Sequence, residues 1–224
     1  MSKEVLECEK LELENRKLAL EIEGAEKGMT ILDSQVALNA RDDVYYHFRG
    51  GVDYDTLTSL TYRIRKWTEL WTTGQRDGPF TMSITSYGGD IFSGFGHYDL
   101  IKDATSTGIP IITEVRGYAA SMGSVIAQAG SIRTITANGW IMLHEAAAVR
   151  SNLMKLADMQ DQVELINTLQ DRLYRIYADR CNLSRDEIEA RCFKKDWWLP
   201  AEEALDLGFV DYISKGPNDA YRKG

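Results

Sequence analysis

Cysteine, histidine and proline are all scarce in this chain of 224 residues, which holds three, three and four of them. The cysteines, Cys8, Cys181 and Cys192, are scattered, odd in number and without a C-x-x-C pair, as expected of unpaired thiols in a reducing compartment. Basic charge is also short: 26 Lys and Arg stand against 34 Asp and Glu, a net charge of −8. A nucleic-acid surface would need clustered Lys and Arg, so that class of partner is not expected. No apolar run approaches the length needed to cross a bilayer, and no membrane association is expected. The N-terminal stretch MSKEVLECEK is charged from its third residue and has no apolar core, so it does not read as a secretory signal. Cytoplasmic location is the expectation.

The 44% hydrophobic and 27% charged shares are those of a soluble globular protein, and the length fits one large domain with a substantial core. Residues 1–30 form a charged leader, helical by composition or frayed, in which Leu6, Leu13 and Leu20 make only half a heptad seam. The folded domain is expected over 31–215, with a short polar tail at 216–224. Within it, strand and helix patterns alternate. Val44–Phe48 reads as a strand. Leu57, Leu60, Ile64, Trp67 and Trp71 then fall at helical spacing behind a capping Asp53 or Asp55. Phe80–Ser86 alternates as a strand, Ile91–Thr105 as a helix, and IPIITEV, IRTIT and WIMLH as further strands. Strands separated by helices predict parallel β-α-β units. The longest helical pattern runs from Asn152 to Arg180, with Leu156, Met159, Val163, Ile166, Leu169, Leu173 and Ile176 on one stripe. Ser184 to Glu187 forms a capping box, Pro200 opens a last helix and Gly208 closes it.

Two glycine-rich turns each follow a strand and precede a helix: SYGGD (Ser86–Asp90) and GYAASMGS (Gly117–Ser124). Backbone amides converging from such turns can hold a developing oxyanion, and a serine at the second helix start would present its hydroxyl beside them. The same small residues also serve plain close packing, and phosphate-binding loops use them too. SYGGD carries neither the G-K-[ST] of a Walker loop nor the third glycine of a dinucleotide fingerprint. A serine nucleophile needs a base. Of the three histidines, His47 lies within a strand and His97 within a helix, both places for structural histidines. His144 ends the strand WIMLH, where parallel α/β folds place their chemistry. His144-Glu145 lacks the second histidine of a zinc motif. Composition does not select an acid from 34 candidates.

The runs SYGGDIFSGFGHYDLIKD, GYAASMGS, IMLHEA and KKDWWLPAEEALDLGFVDYI, in that order and at similar spacings, resemble the proteolytic subunit of the Clp protease (ClpP) from about Val44 to Ile213. The resemblance implies an α/β fold, a ClpP/crotonase-like spiral of β-β-α units with a long projecting handle helix from Asn152. It implies a Ser-His-Asp triad of Ser121 as nucleophile, His144 as general base and Asp196 as the acid that orients it. The amides of Gly89 and Met122 would form the oxyanion hole. It also implies a peptide or protein substrate, a homo-oligomer of stacked rings and no cofactor or metal. Folded substrates would need a separate AAA+ unfoldase, since the chain has no P-loop. This sequence departs from the family pattern at Tyr87, where proline is usual before the glycines. It departs again at Glu145-Ala146, where Gln-Pro follows the histidine, and at Lys195, where arginine is usual. The stretch AAAVRSNLMKL lacks the glycines found where substrate strands bind.

Three other functions remain open to the sequence. The extended N-terminus and the GGDIF run resemble the phage branch of the family, whose head maturation proteases trim capsid or scaffold proteins in the host cytoplasm. A crotonase-type acyl-CoA hydratase or isomerase would share fold and oxyanion hole, but needs no serine with His and Asp at these spacings. A non-catalytic ring subunit would not need all three triad positions filled.

Overall fold

The alternation of strand and helix is what residues 44–147 and 155–214 adopt, and these are the residues that the computed structural model describes. The expected leader, the Ile31 boundary, the tail and the start of the long helix at Asn152 lie outside them. Strand β1 (Tyr45–Val52) leads into helix α1 (Tyr54–Thr72), followed by β2 (Phe80–Gly89), α2 (Ile91–Ser106), β3 (Ile111–Ala120) and α3 (Met122–Ala127). Then come β4 (Ile132–Thr136), β5 (Trp140–Leu143), α4 (Leu156–Ala178), α5 (Arg185–Cys192), β6 (Trp197–Pro200), α6 (Ala201–Asp206) and β7 (Tyr212–Ser214). Among the described residues, no helix is long and apolar enough to cross a membrane.

Local chemistry sets the helix starts. Asp53, rather than Asp55, caps α1: its carboxylate accepts from the Thr56 amide at 2.8 Å, and Thr56 Oγ1 accepts from the Asp53 amide at 3.0 Å. Asp90 caps α2 through the Ser93 amide at 2.7 Å. The Ser184 and Glu187 capping box forms as expected at α5. Gly208 takes φ +79° just past α6, a left-handed position that suits glycine. The buried face of α1 is Leu60, Ile64, Trp67 and Leu70. Trp67 lies stacked on Phe80 of β2, centroids 5.1 Å apart, and both are fully buried. Such a pair adds roughly 0.5–1.5 kcal/mol beyond the area it buries.

The sheet runs β1-β2-β3-β4-β7, every pairing parallel. It forks at β3. The first half of β3 pairs with β4 (Ile112↔Ile132 to Val115↔Ile135), while its last three residues pair with β5 (Tyr118↔Trp140 to Ala120↔Met142). The β2–β3 register slips at the same point: Ile84 faces Val115, but Ser86 faces Ala119. Gly117, at φ +75°, takes the bend. Strand β6 then joins β5 antiparallel.

Behind the fork, one buried arginine ties three segments together. Arg133 donates to Gln128 Oε1 at 2.8 Å and to the Arg180 and Gly208 carbonyls at 2.7 and 2.9 Å. Its other terminal nitrogen meets Asp211 Oδ1 at 2.6 Å. Partial burial works against the Asp211 anion, but hydrogen bonds from Arg133 outweigh it and hold the carboxyl below its ordinary value. Breaking a buried pair on one side leaves a charge uncompensated. Arg133→Met is therefore expected to cost about 3 kcal/mol, at the lower end because Asp211 is partly exposed, read as a lower urea midpoint. The stability that Asp211 supplies is complete above its unfolded value of about 3.9 and is lost as pH falls through the lower folded value. Asp211→Asn should flatten that acid limb.

Candidate active site

Ser121 stands at the joint where β3 ends and α3 begins. Its backbone has φ 52° and ψ −127°, and among the described residues only Lys194 is another non-glycine with positive φ. Such a conformation costs of order 1–3 kcal/mol and persists where surroundings impose it. Three contacts do so. The Ser121 amide donates to the Met142 carbonyl at 2.9 Å. The Ser124 hydroxyl donates to the Ser121 carbonyl at 2.7 Å. The Tyr177 hydroxyl of α4 in turn lies 2.7 Å from Ser124 Oγ and, with Ser124's proton already placed, is the donor. Burial pushes the Tyr177 pKa well up, so it keeps its proton.

The small residues around the joint are small for packing as well. A Cβ on Gly88 would stand 2.6 Å from Ser121 Cβ and 3.0 Å from the Met122 nitrogen, and one on Gly123 would stand 2.9 Å from Ser86 Cβ. SYGGD thus lies directly against the start of α3. Tyr87 is the extra residue in the β1–β2 register, which runs from Gly50↔Ser86 to Gly51↔Gly88, and the bulge turns its side chain out. The Gly88 amide donates to Ser86 Oγ at 3.1 Å and the Asp90 amide to the Val52 carbonyl at 2.8 Å. Gly89 sits between them on the wall of the cleft, as does Met122, whose amide, the first of α3, has no acceptor within the helix.

Sheet pairing brings the other two groups in. With Ala120 opposite Met142, the chain leaving β5 carries His144 alongside Ser121, and His144 Nε2 lies 2.8 Å from Ser121 Oγ. Strand β6 pairs Trp197 with Leu143, so Asp196 comes opposite His144. Its Oδ1 lies 3.9 Å from His144 Nδ1, within ion-pair range and about 1 Å beyond hydrogen-bond length. The loop after His144 is fixed by the Ala146 amide donating to Gln170 Oε1 of α4 at 2.9 Å. These groups open on a cleft of about 280 Å³ whose apolar wall includes Ile91, Val125, Leu173 and Tyr177.

The other two histidines take structural places. His97 is fully buried in α2, its Nδ1 2.7 Å from the Ser93 carbonyl and its ring edge-on to Phe48. Burial lowers its pKa, which keeps it neutral. His47 is exposed on β1, and neither histidine lines the cleft. Among the described residues, no group of three or more His, Cys, Asp or Glu could hold a metal ion.

Serine, imidazole and carboxylate in sequence, beside two turn amides, form an arrangement for acyl transfer. Of the five residues expected from the sequence, Gly89, Ser121, Met122 and His144 line the cleft, while Asp196 stands outside its lining, 3.9 Å from His144. Four that support them were not singled out: Gly88, Ser124, Tyr177 and Gln170, the last a polar helix residue with no local signal. Gly88 and Ser124 carried a signal, since they belong to the two turns. Tyr177 carried none, because a tyrosine on a helical stripe reads as core.

A protein-family model for the Clp protease matches residues 69–217. The ATP-dependent Clp protease proteolytic subunit 1 of Chlamydia pneumoniae is 34% identical over 155 residues, covering 67% of this chain and 79% of that protein. The subunit of the same name from Chlamydia trachomatis serovar D is 32% identical, covering 73% of this chain and 84% of its own. That of Salinibacter ruber is 33% identical, covering 64% and 60%. A family match over two thirds of the sequence, on a parallel α/β fold with a serine and a histidine in contact at its fork, means that this chain belongs to the Clp protease family of serine peptidases.

Proposed function

We propose that Ser121, His144 and Asp196 are the triad through which this chain cleaves peptide bonds, inside a homo-oligomeric assembly. The 2.8 Å contact between His144 Nε2 and Ser121 Oγ carries the reading. With Nε2 as acceptor, the ring proton sits on Nδ1, facing Asp196. Ser121 Oγ attacks the carbonyl carbon as its proton passes to His144, and His144 returns that proton to the leaving amine. Asp196 holds the imidazole and stabilises its cation without taking the proton. The amides of Met122 and Gly89 receive the oxyanion, and one such donor is worth about 3 kcal/mol in the transition state. Water then repeats the sequence to release the acyl group.

Assembly is supported by α4. Its second half buries Leu169, Leu173, Tyr174 and Tyr177, but Leu156, Met159 and Val163, on the expected stripe in its first half, are 73%, 48% and 57% exposed. A second copy of this chain is the partner that such a handle would meet, and stacked rings would enclose the clefts. Folded proteins would then reach Ser121 only after unfolding by a separate ATP-driven ring, in keeping with the relatives' name as ATP-dependent proteolytic subunits.

Ser121→Ala is expected to fold and assemble as the parent does, while peptide hydrolysis falls at least about ten-thousand-fold and labelling by a fluorophosphonate disappears. Unimpaired turnover would reject the triad. Labelling of the parent also separates this reading from an acyl-CoA hydratase, which needs no serine nucleophile. Val163→Glu should shift the particle to smaller species in sedimentation velocity, leaving the helical content unchanged.

A further inference from the structure

We propose that Glu145 is a positioning residue that keeps Asp196 in register with His144, an inference that rests on the triad reading above. Asp196 directly follows a four-residue turn, Cys192 to Lys195, closed by the Lys195 amide donating to the Cys192 carbonyl at 3.2 Å. Phe193 has φ −56° and ψ 113°, and Lys194 has φ 56°. This is close to a type II turn, whose third position calls for glycine or asparagine. A lysine there is strained, and its amide points out of the turn in need of an acceptor. Glu145 Oε2 supplies one at 2.8 Å. The Lys194 ammonium lies over the Phe193 ring, 4.9 Å from its centroid, so the backbone amide is what engages Glu145.

The consequence follows from neighbouring pairs. Leu143 faces Trp197 in the β5–β6 ladder, which fixes one side of the His144 and Asp196 pair. Glu145 with Lys194 fixes the other. Between these clamps the Asp196 carboxylate is 59% exposed and 3.9 Å from the ring, so its placement depends on backbone held on both sides. Glu145 thereby does two tasks at one point: it is bonded in sequence to the base, and its side chain grips the turn that delivers the acid. The residue after the histidine is thus a carboxylate matched to a strained amide.

The test compares kcat and KM on a fluorogenic peptide for the parent, Glu145→Ala, Glu145→Gln, and Glu145→Ala combined with Lys194→Gly. A displaced orienting group lowers turnover more than binding, so Glu145→Ala should lose on the order of tenfold to a hundredfold in kcat, with KM little changed. Glu145→Gln keeps an acceptor oxygen and should keep most of kcat. Lys194→Gly adopts the positive φ without strain and should restore part of the loss in the Glu145→Ala background. The proposal is overturned by a parental kcat in Glu145→Ala, by a loss confined to KM, by Glu145→Gln as impaired as Glu145→Ala, or by no recovery with Lys194→Gly. Ser121→Ala run alongside keeps the two readings apart. If it still cleaves, the triad fails and this inference with it; if it is dead while Glu145→Ala is intact, this inference alone fails.

Discussion

The strained backbone of Ser121 is the constraint on which the rest of the site depends. A serine at φ 52° projects its hydroxyl from a sharp strand-to-helix joint, free of a capping bond to its own helix. Nothing in the residue favours that conformation, so the fold has to impose it. The fork at β3 does so: the strand leaves β4, pairs with β5 for three residues, and stops with the Ser121 amide held by the Met142 carbonyl. The same fork places β5 beside the joint, and the chain leaving β5 carries the histidine. Ser121 and His144 are therefore brought together by one topological event.

Asp196 arrives by a weaker route. Four-residue β6 hangs from β5 alone, antiparallel at the end of an otherwise parallel sheet. The difference is visible in the distances, 2.8 Å for serine to histidine and 3.9 Å for histidine to aspartate. It is visible in exposure too, since Ser124 and Tyr177 behind the joint are buried while Asp196 is open. One half of the site rests on a dense core and the other on an edge.

Much of this was legible in the sequence, and the parts that were not share a cause. Caps, amphipathic stripes and glycine turns are local, and Asp53, Ser184, SYGGD and GYAASMGS sit where their chemistry says. The strand expected over Val44–Phe48 runs on to Val52, because Gly50 at φ +92° accommodates a bulge within the pairing. β6 and β7 are four and three residues long, too short for a periodic pattern of their own, and the neighbour each pairs with makes them strands. Ser121 and His144 were marked by position within local patterns. Asp196 was not, because its selection from the acidic residues lies in the β5–β6 register. Resemblance to the family supplied it instead.

Helix α4 connects the two scales of the molecule. Its last turns reach the site three ways: Tyr177 bonds the serine that supports the joint, Gln170 holds the loop after His144, and Leu173 lines the cleft. Its first turns carry an apolar stripe, Leu156, Met159 and Val163, that is left largely exposed. Under the proposed function, a helix bound at one end to the Ser121 joint and exposed at the other would join assembly to catalysis in one element. The loop carrying His144 and Glu145 hangs on that same helix, and Glu145 grips the turn before Asp196, so the exposed Asp196 carboxylate lies at the end of this chain of contacts.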